Sequence, residues 1–95
     1  MVIKLCDFGT TLGTRDLGEK VRRLLLDALE HNLSPIEISF EGIFMVSSSF
    51  ADECFGKLVE GIGKDEFKKC FRIKELNDDH IRMVLNNSVR NRLCS

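Results

Sequence analysis

Apolar residues recur along this chain in two rhythms, and the changes of rhythm mark its elements. Val2, Ile3 and Leu5 open it as a short strand, and the Gly- and Thr-rich stretch from Gly9 to Thr14 reads as a loop. Leu17, Val21, Leu24, Leu25, Ala28 and Leu29 then return at helical spacing, with Asp16 and Glu19 placed as an N-cap and its return partner. Asn32 can take the left-handed conformation and Pro35 cannot continue a helix, so the first helix ends near His31. Ile36, Ile38 and Phe40 alternate with Glu37 and Ser39 as a strand with one buried face.

Gly42 breaks that alternation, and an apolar link, Ile43 to Val46, leads into three serines. Phe50, Cys54, Phe55, Leu58, Val59 and Ile62 form the stripe of a second helix, with Ser49 and Asp52 as its capping pair and Gly61 and Gly63 at its end. Phe71 and Ile73 mark a further strand. Asp78 or Asp79 caps a last helix, with Ile81, Val84, Leu85, Val89 and Leu93 on one side and Arg82, Asn86, Arg90 and Arg92 on the other. Strands alternating with helices predict an α/β fold whose sheet is mainly parallel.

Composition narrows the function classes. With 95 residues the chain holds one core, so residues 1–95 are expected to form a single domain. Fourteen Lys and Arg against fifteen Asp and Glu leave a net charge of -1, which steers the chain toward neither nucleic acid nor membrane. No apolar run approaches the roughly 20 residues of a bilayer span. Lys4, Asp7 and Arg15 interrupt the N-terminus before a signal peptide's apolar core can form, so a cytoplasmic location is expected. Cys6, Cys54, Cys70 and Cys94 contain no C-x-x-C pair and read as reduced thiols. His31 and His80 lack a Cys or His at i+3 or i+4, so no metal site is implied, and no serine sits in a G-x-S-x-G elbow. The expectation is a protein that is not an enzyme and uses no cofactor.

The chemistry concentrates between Ile38 and Asp52, where a buried strand runs through a glycine turn into consecutive serines at a helix start. The first peptide N–H groups of a helix lack partners and its dipole favours negative charge there, so a hydroxyl at this point is suited to carry a phosphate. A second anion-binding candidate is Arg15 beside the Gly9–Thr14 loop, since a guanidinium reads phosphate or carboxylate bidentately.

The run Phe40-Glu41-Gly42-Ile43-Phe44-Met45-Val46-Ser47-Ser48-Ser49-Phe50-Ala51-Asp52-Glu53-Cys54-Phe55-Gly56-Lys57-Leu58 resembles the centre of the STAS-like domains of unknown function. These are short bacterial proteins related to the anti-sigma factor antagonists of the STAS superfamily. Thr14-Arg15 before the first helix, and Arg90 and Arg92 in the closing one, extend the likeness over nearly the whole chain. The resemblance implies a four-stranded, mainly parallel sheet with about three helices chiefly on one side. It also implies a regulatory protein-interaction role without catalysis. In the antagonists, a serine at the start of the second helix is phosphorylated by a partner with a histidine-kinase-like ATPase fold, and the phosphate blocks binding. Carried onto this chain, the acceptor candidates are Ser47 and Ser48, and the partner-binding residues are Gly42, Phe44, Ser49, Asp52 and Glu53. Val46 stands where the antagonists have aspartate, and Ser49 where they have glycine. The implied partner is another protein, such as that ATPase or a sigma-factor regulator, and edge strands leave room for a homodimer.

Overall fold

A computed structural model describes residues 1–94 of the chain. Its strands are β1 (Val2–Lys4), β2 (Thr11–Leu12), β3 (Ile36–Ser39), β4 (Met45–Val46) and β5 (Phe71–Lys74). Its helical segments are α1 (Arg15–Glu30), α2 (Ser48–Ala51), α3 (Lys57–Ile62), α4 (Lys64–Cys70) and α5 (Asp79–Leu93). A π-helical stretch, Asp52–Gly56, joins α2 to α3 with helical backbone at both joints. Residues 48–62 therefore form one middle helix with a π-bulge, and the described residues contain four helical rods. The fold is mixed α/β with parallel strands. Among the described residues no helix is long and apolar enough to cross a membrane.

The expected single four-stranded sheet is replaced by two sheets: a three-stranded one in the order β1-β3-β5 and a two-stranded one pairing β2 with β4. All pairings are parallel. The split has local causes. A 3-10 turn, Leu5–Phe8, lifts the chain out of the first sheet directly after β1. A tight turn closed by the Ile43 N–H on the Phe40 carbonyl at 3.1 Å does the same after β3. The next extended pieces, two residues each, then find one another. Neither was foreseen, because two residues carry no alternation to read.

Register places Ile3, Ile38 and Ile73 in one row and Ile36 beside Phe71 in another. The intervening rows carry Val2, Glu37 and Arg72, then Lys4, Ser39 and Lys74. Side chains alternate faces along a strand, so the isoleucine rows face the helices, while Val2, Lys4, Arg72 and Lys74 are exposed on the other side. The core joins Ile3, Ile36 and Ile38 of the sheet and Leu5 of the 3-10 turn to Val21 and Leu25 of α1 and to Phe50, Cys54, Phe55 and Leu58 of the middle helix.

Helix ends follow local chemistry, with two corrections. α1 stops as expected: Asn32 has φ 57°, and the N–H groups of Asn32 and Leu33 bond the carbonyls of Leu29 and Ala28, both at 3.1 Å. That is a Schellman closure. Its start is capped by Thr14, whose hydroxyl accepts from the Leu17 N–H at 3.2 Å, and not by Asp16, which lies inside the first turn. Thr14 is the last residue with extended backbone, and an N-cap must be extended. For the same reason Ser47, and not Ser49, caps the middle helix: Ser47 has φ -78° and ψ 159°, and its Oγ accepts from the Phe50 N–H at 3.0 Å. α4 was not anticipated; Phe67 and Cys70 are too few apolar positions to reveal a period. The Phe67 ring stacks on Phe71 with centroids 5.2 Å apart. Asp78 caps α5, its Oδ1 accepting from the N–H groups of His80 at 2.8 Å and Ile81 at 3.1 Å.

Candidate functional site

The segment from Gly42 to Ser49 is held in place by the small parallel pair. The Phe44 N–H donates to the Thr10 carbonyl at 2.8 Å and the Ser47 N–H to the Leu12 carbonyl at 2.9 Å, so the link is laced to the former loop on both sides of β4. Gly42 turns the chain with φ 80°, in the left-handed region where a β-carbon is penalised. Beyond it the strand alternation decides what is shown. Val46 and Leu12 point inward and are buried, whereas Met45 is 43% and Phe44 79% exposed. A phenylalanine so exposed on a tethered segment is unusual, because burying such a ring is worth roughly 1.5–3 kcal/mol.

The three serines play different parts. Ser47 is half-buried and its Oγ serves the cap; Ser48, the first helical residue, is exposed; Ser49 is half-buried. Ser48 is thus the hydroxyl most open to a second macromolecule, at the positive end of a helix dipole.

Asp52 and Glu53, expected to face a partner, are placed in a network of ion pairs. Arg92 of α5 grips Asp52 with two bonds, Nε to Oδ1 at 2.7 Å and Nη2 to Oδ2 at 2.6 Å. Arg15 Nη1 donates to Asp52 Oδ2 at 2.9 Å and to Glu53 Oε1 at 3.3 Å. Glu53 is buried, and its Oε2 accepts from Arg22 Nη1 at 2.9 Å and Lys57 Nζ at 3.0 Å; Arg22 also donates to the Glu53 carbonyl. The Arg92 bonds, with Arg15 adding to them, hold the Asp52 carboxyl far below the usual carboxylate range. Bonds from Arg22, then Lys57, draw Glu53 down to about 2. Both stay ionised at any physiological pH. Arg15, read from sequence as an anion clamp, has its guanidinium engaged by these two acids, which raise its pKa further. The network clamps α1 and α5 to the π-bulge.

Sequence reasoning missed Arg22 and Lys57 altogether and placed Arg92 on an outward polar face. The i,i+4 spacing of Glu53 and Lys57 was a readable signal; the pairs from α1 and α5 to the bulge, 31 to 40 residues apart in sequence, were not. The other candidates lie elsewhere. His31 is exposed at the end of α1, where Nδ1 lies 2.8 Å from the Asp27 carbonyl. Cys54 and Cys70 are buried, Cys6 is half-buried and Cys94 exposed, all as free thiols. Burial pushes the Cys54 thiol far up and leaves it unreactive.

A family model described as the STAS-like domain of unknown function (DUF4325) matches residues 18–80, a span that contains the middle helix, the serines and both carboxylates. No curated protein and no solved structure matches the chain.

Proposed function

Because the chain belongs to the family of STAS-like domains of unknown function, we propose that it is a non-catalytic regulatory domain that binds another protein through the segment from Gly42 to Ser49. The observation that carries this reading is Phe44: a large ring, 79% exposed, beside the exposed Met45, on a segment fixed at both ends by backbone hydrogen bonds. Rigid aromatic anchors of this kind dominate protein interfaces, since they enter a partner's pocket with little ordering cost. Ser48, exposed on the same segment four residues on, supplies the switch. A phosphate there adds about -1.5 to -2 charges; the helix N-terminus tolerates them, while an acidic partner surface is repelled. Asp52 and Glu53 act indirectly, by holding the helix start against α1 and α5. By likeness to the anti-sigma factor antagonists, the partner is a histidine-kinase-like ATPase or a sigma-factor regulator.

Calorimetric titration of such an ATPase from the same genome with wild type, Phe44→Ser, Ser47→Asp and Ser48→Asp tests the reading. Aspartate caps a helix as well as serine does at position 47, and a carboxylate in the first turn at position 48 suits the helix dipole, so both charged variants keep the helix start. Phe44→Ser and Ser48→Asp are expected to lose at least about tenfold in affinity, roughly 1.4 kcal/mol. Equal affinity across the four proteins would remove both the docking surface and the switch.

A further inference from the structure

A second surface, away from the serine turn, lies between α4, β5 and α5. Two shallow cavities open there, of about 430 and 450 Å³, and they share Phe67, Asn86 and Val89, so they form one continuous trough. It runs along α5 from Arg82 to Leu93, roughly 16–17 Å at 1.5 Å per residue. Its floor is apolar: Phe67, Val89 and Leu93, with Ile73 at one end. Leu93 is 44% and Ile73 37% exposed, so this apolar surface faces solvent.

The rim is basic. Lys64 and Lys68 stand on the α4 side, Arg82 and Arg90 on the α5 side. Among the residues lining the trough the one carboxylate is Glu75, which accepts from the Ser39 hydroxyl at 3.2 Å. Nearby acids are also engaged: Glu60 with Arg92 at 3.5 Å, Glu66 with the Cys70 thiol at 3.4 Å, and Asp79 with Arg82 of the rim itself, at 3.7 Å in an exposed pair. A chain of net charge -1 has thus gathered four cations around one apolar floor.

We infer that this trough receives the apolar stripe of an acidic amphipathic helix from a protein partner. Its length matches about three helical turns, which present side chains at i, i+3, i+4 and i+7 to a groove. Glutamates or aspartates flanking that stripe meet Lys64, Lys68, Arg82 and Arg90. A single small anion would leave most of the floor uncovered. Nucleic acid would find phosphate partners, but of the two rings lining the trough Phe55 is buried and only Phe67 is open to a base.

The probe is a fluorescein-labelled synthetic helix of about 18 residues, ~27 Å long, with leucines in the stripe and glutamates beside it. A counterpart carries lysine for glutamate. Fluorescence anisotropy is expected to give at least about tenfold tighter binding of the acidic probe, weakening with salt. Lys68→Glu with Arg90→Glu is expected to lose at least about tenfold, while Lys20→Glu on the exposed side of α1 binds as wild type. Both substitutions in the trough fall on exposed side chains, and an unchanged melting temperature certifies the fold. Equal binding of the two probes would overturn the inference, as would affinity that survives the charge reversal. So would tighter binding of single-stranded oligonucleotide, decanoate or a second copy of the chain at the same residues. Phe44→Ser is expected to leave probe binding intact, so failure of this site and failure of the serine-turn surface are separately visible.

Discussion

Gly18 lies in α1 where a β-carbon would come within 2.9 Å of Glu53 Cβ and 3.0 Å of the Phe50 carbonyl oxygen. Glycine inside a helix ordinarily costs about 1 kcal/mol relative to alanine. Here the close approach of two helices reverses the sign, because the backbone oxygen cannot move aside. Gly18→Ala should lose roughly 1–3 kcal/mol by overpacking, read as a lower urea midpoint; a raised midpoint would show that the two helices have room to spare. The sequence announced a buried helix face around Leu17 and Val21 but gave no sign that Gly18 is where the neighbour comes closest. The caps of α1 and the middle helix were legible as residue types and missed in place, whereas Asp78 caps α5 as expected. Threonine and serine were visible before these two helices, but which residue caps depends on where the backbone ceases to be extended, and strands β2 and β4 set that point.

At the scale of elements, the π-bulge is the joint of the molecule. Consecutive residues turn to opposite neighbours: Asp52 to Arg92 of α5, Glu53 to Arg22 of α1. A π-turn inserts one extra residue into the helical repeat, and the bulge packs against both flanking helices. Arg92 holds the less exposed side of Asp52 with two short bonds, whereas Arg15 reaches it from a side chain that is 52% exposed. Arg92→Leu should therefore cost about 2–3 kcal/mol, the value of charged hydrogen bonds lost from a carboxylate left with only the exposed Arg15. Arg15→Ala should cost distinctly less, as exposed pairs do. Urea denaturation of the two variants checks the order, and equal losses would mean that the bidentate grip carries no special weight. The helices α1 and α5 were legible from their period of apolar positions, while the ion pairs joining them to the bulge were not, since no local pattern couples Arg92 to Asp52.

For the whole molecule, those carboxylates tie stability to pH. Their folded pKa values lie below the ordinary ones, so the unfolded chain binds more protons in acid and the folded state loses ground there. The contribution is complete above about pH 4.5 and is lost as pH falls toward 2, the value to which Glu53 is drawn. His31 works in the opposite sense: its bond to the Asp27 carbonyl raises its pKa, a benefit fully present below its ordinary value of 6.5 and lost as pH rises from there through the raised folded value. Urea midpoints should stay near level from pH 7 to 5 and fall below, and Asp52→Asn with Glu53→Gln should flatten that acid slope by on the order of 1 kcal/mol per carboxylate. Parallel curves for the variant and wild type would place the acid sensitivity elsewhere. By itself the sequence determined the alternation of strands and helices and the buried faces of β3 and the middle helix, because each is written in the spacing of neighbouring residues, and it carried the family through the resemblance of the run from Phe40 to Leu58. Only the tertiary structure decided that five short strands part into two sheets, that Phe44 and Ser48 are exposed together, and that Asp52 and Glu53 face inward to arginines. Those outcomes depend on contacts between residues far apart in the chain, whose energies no local periodicity encodes.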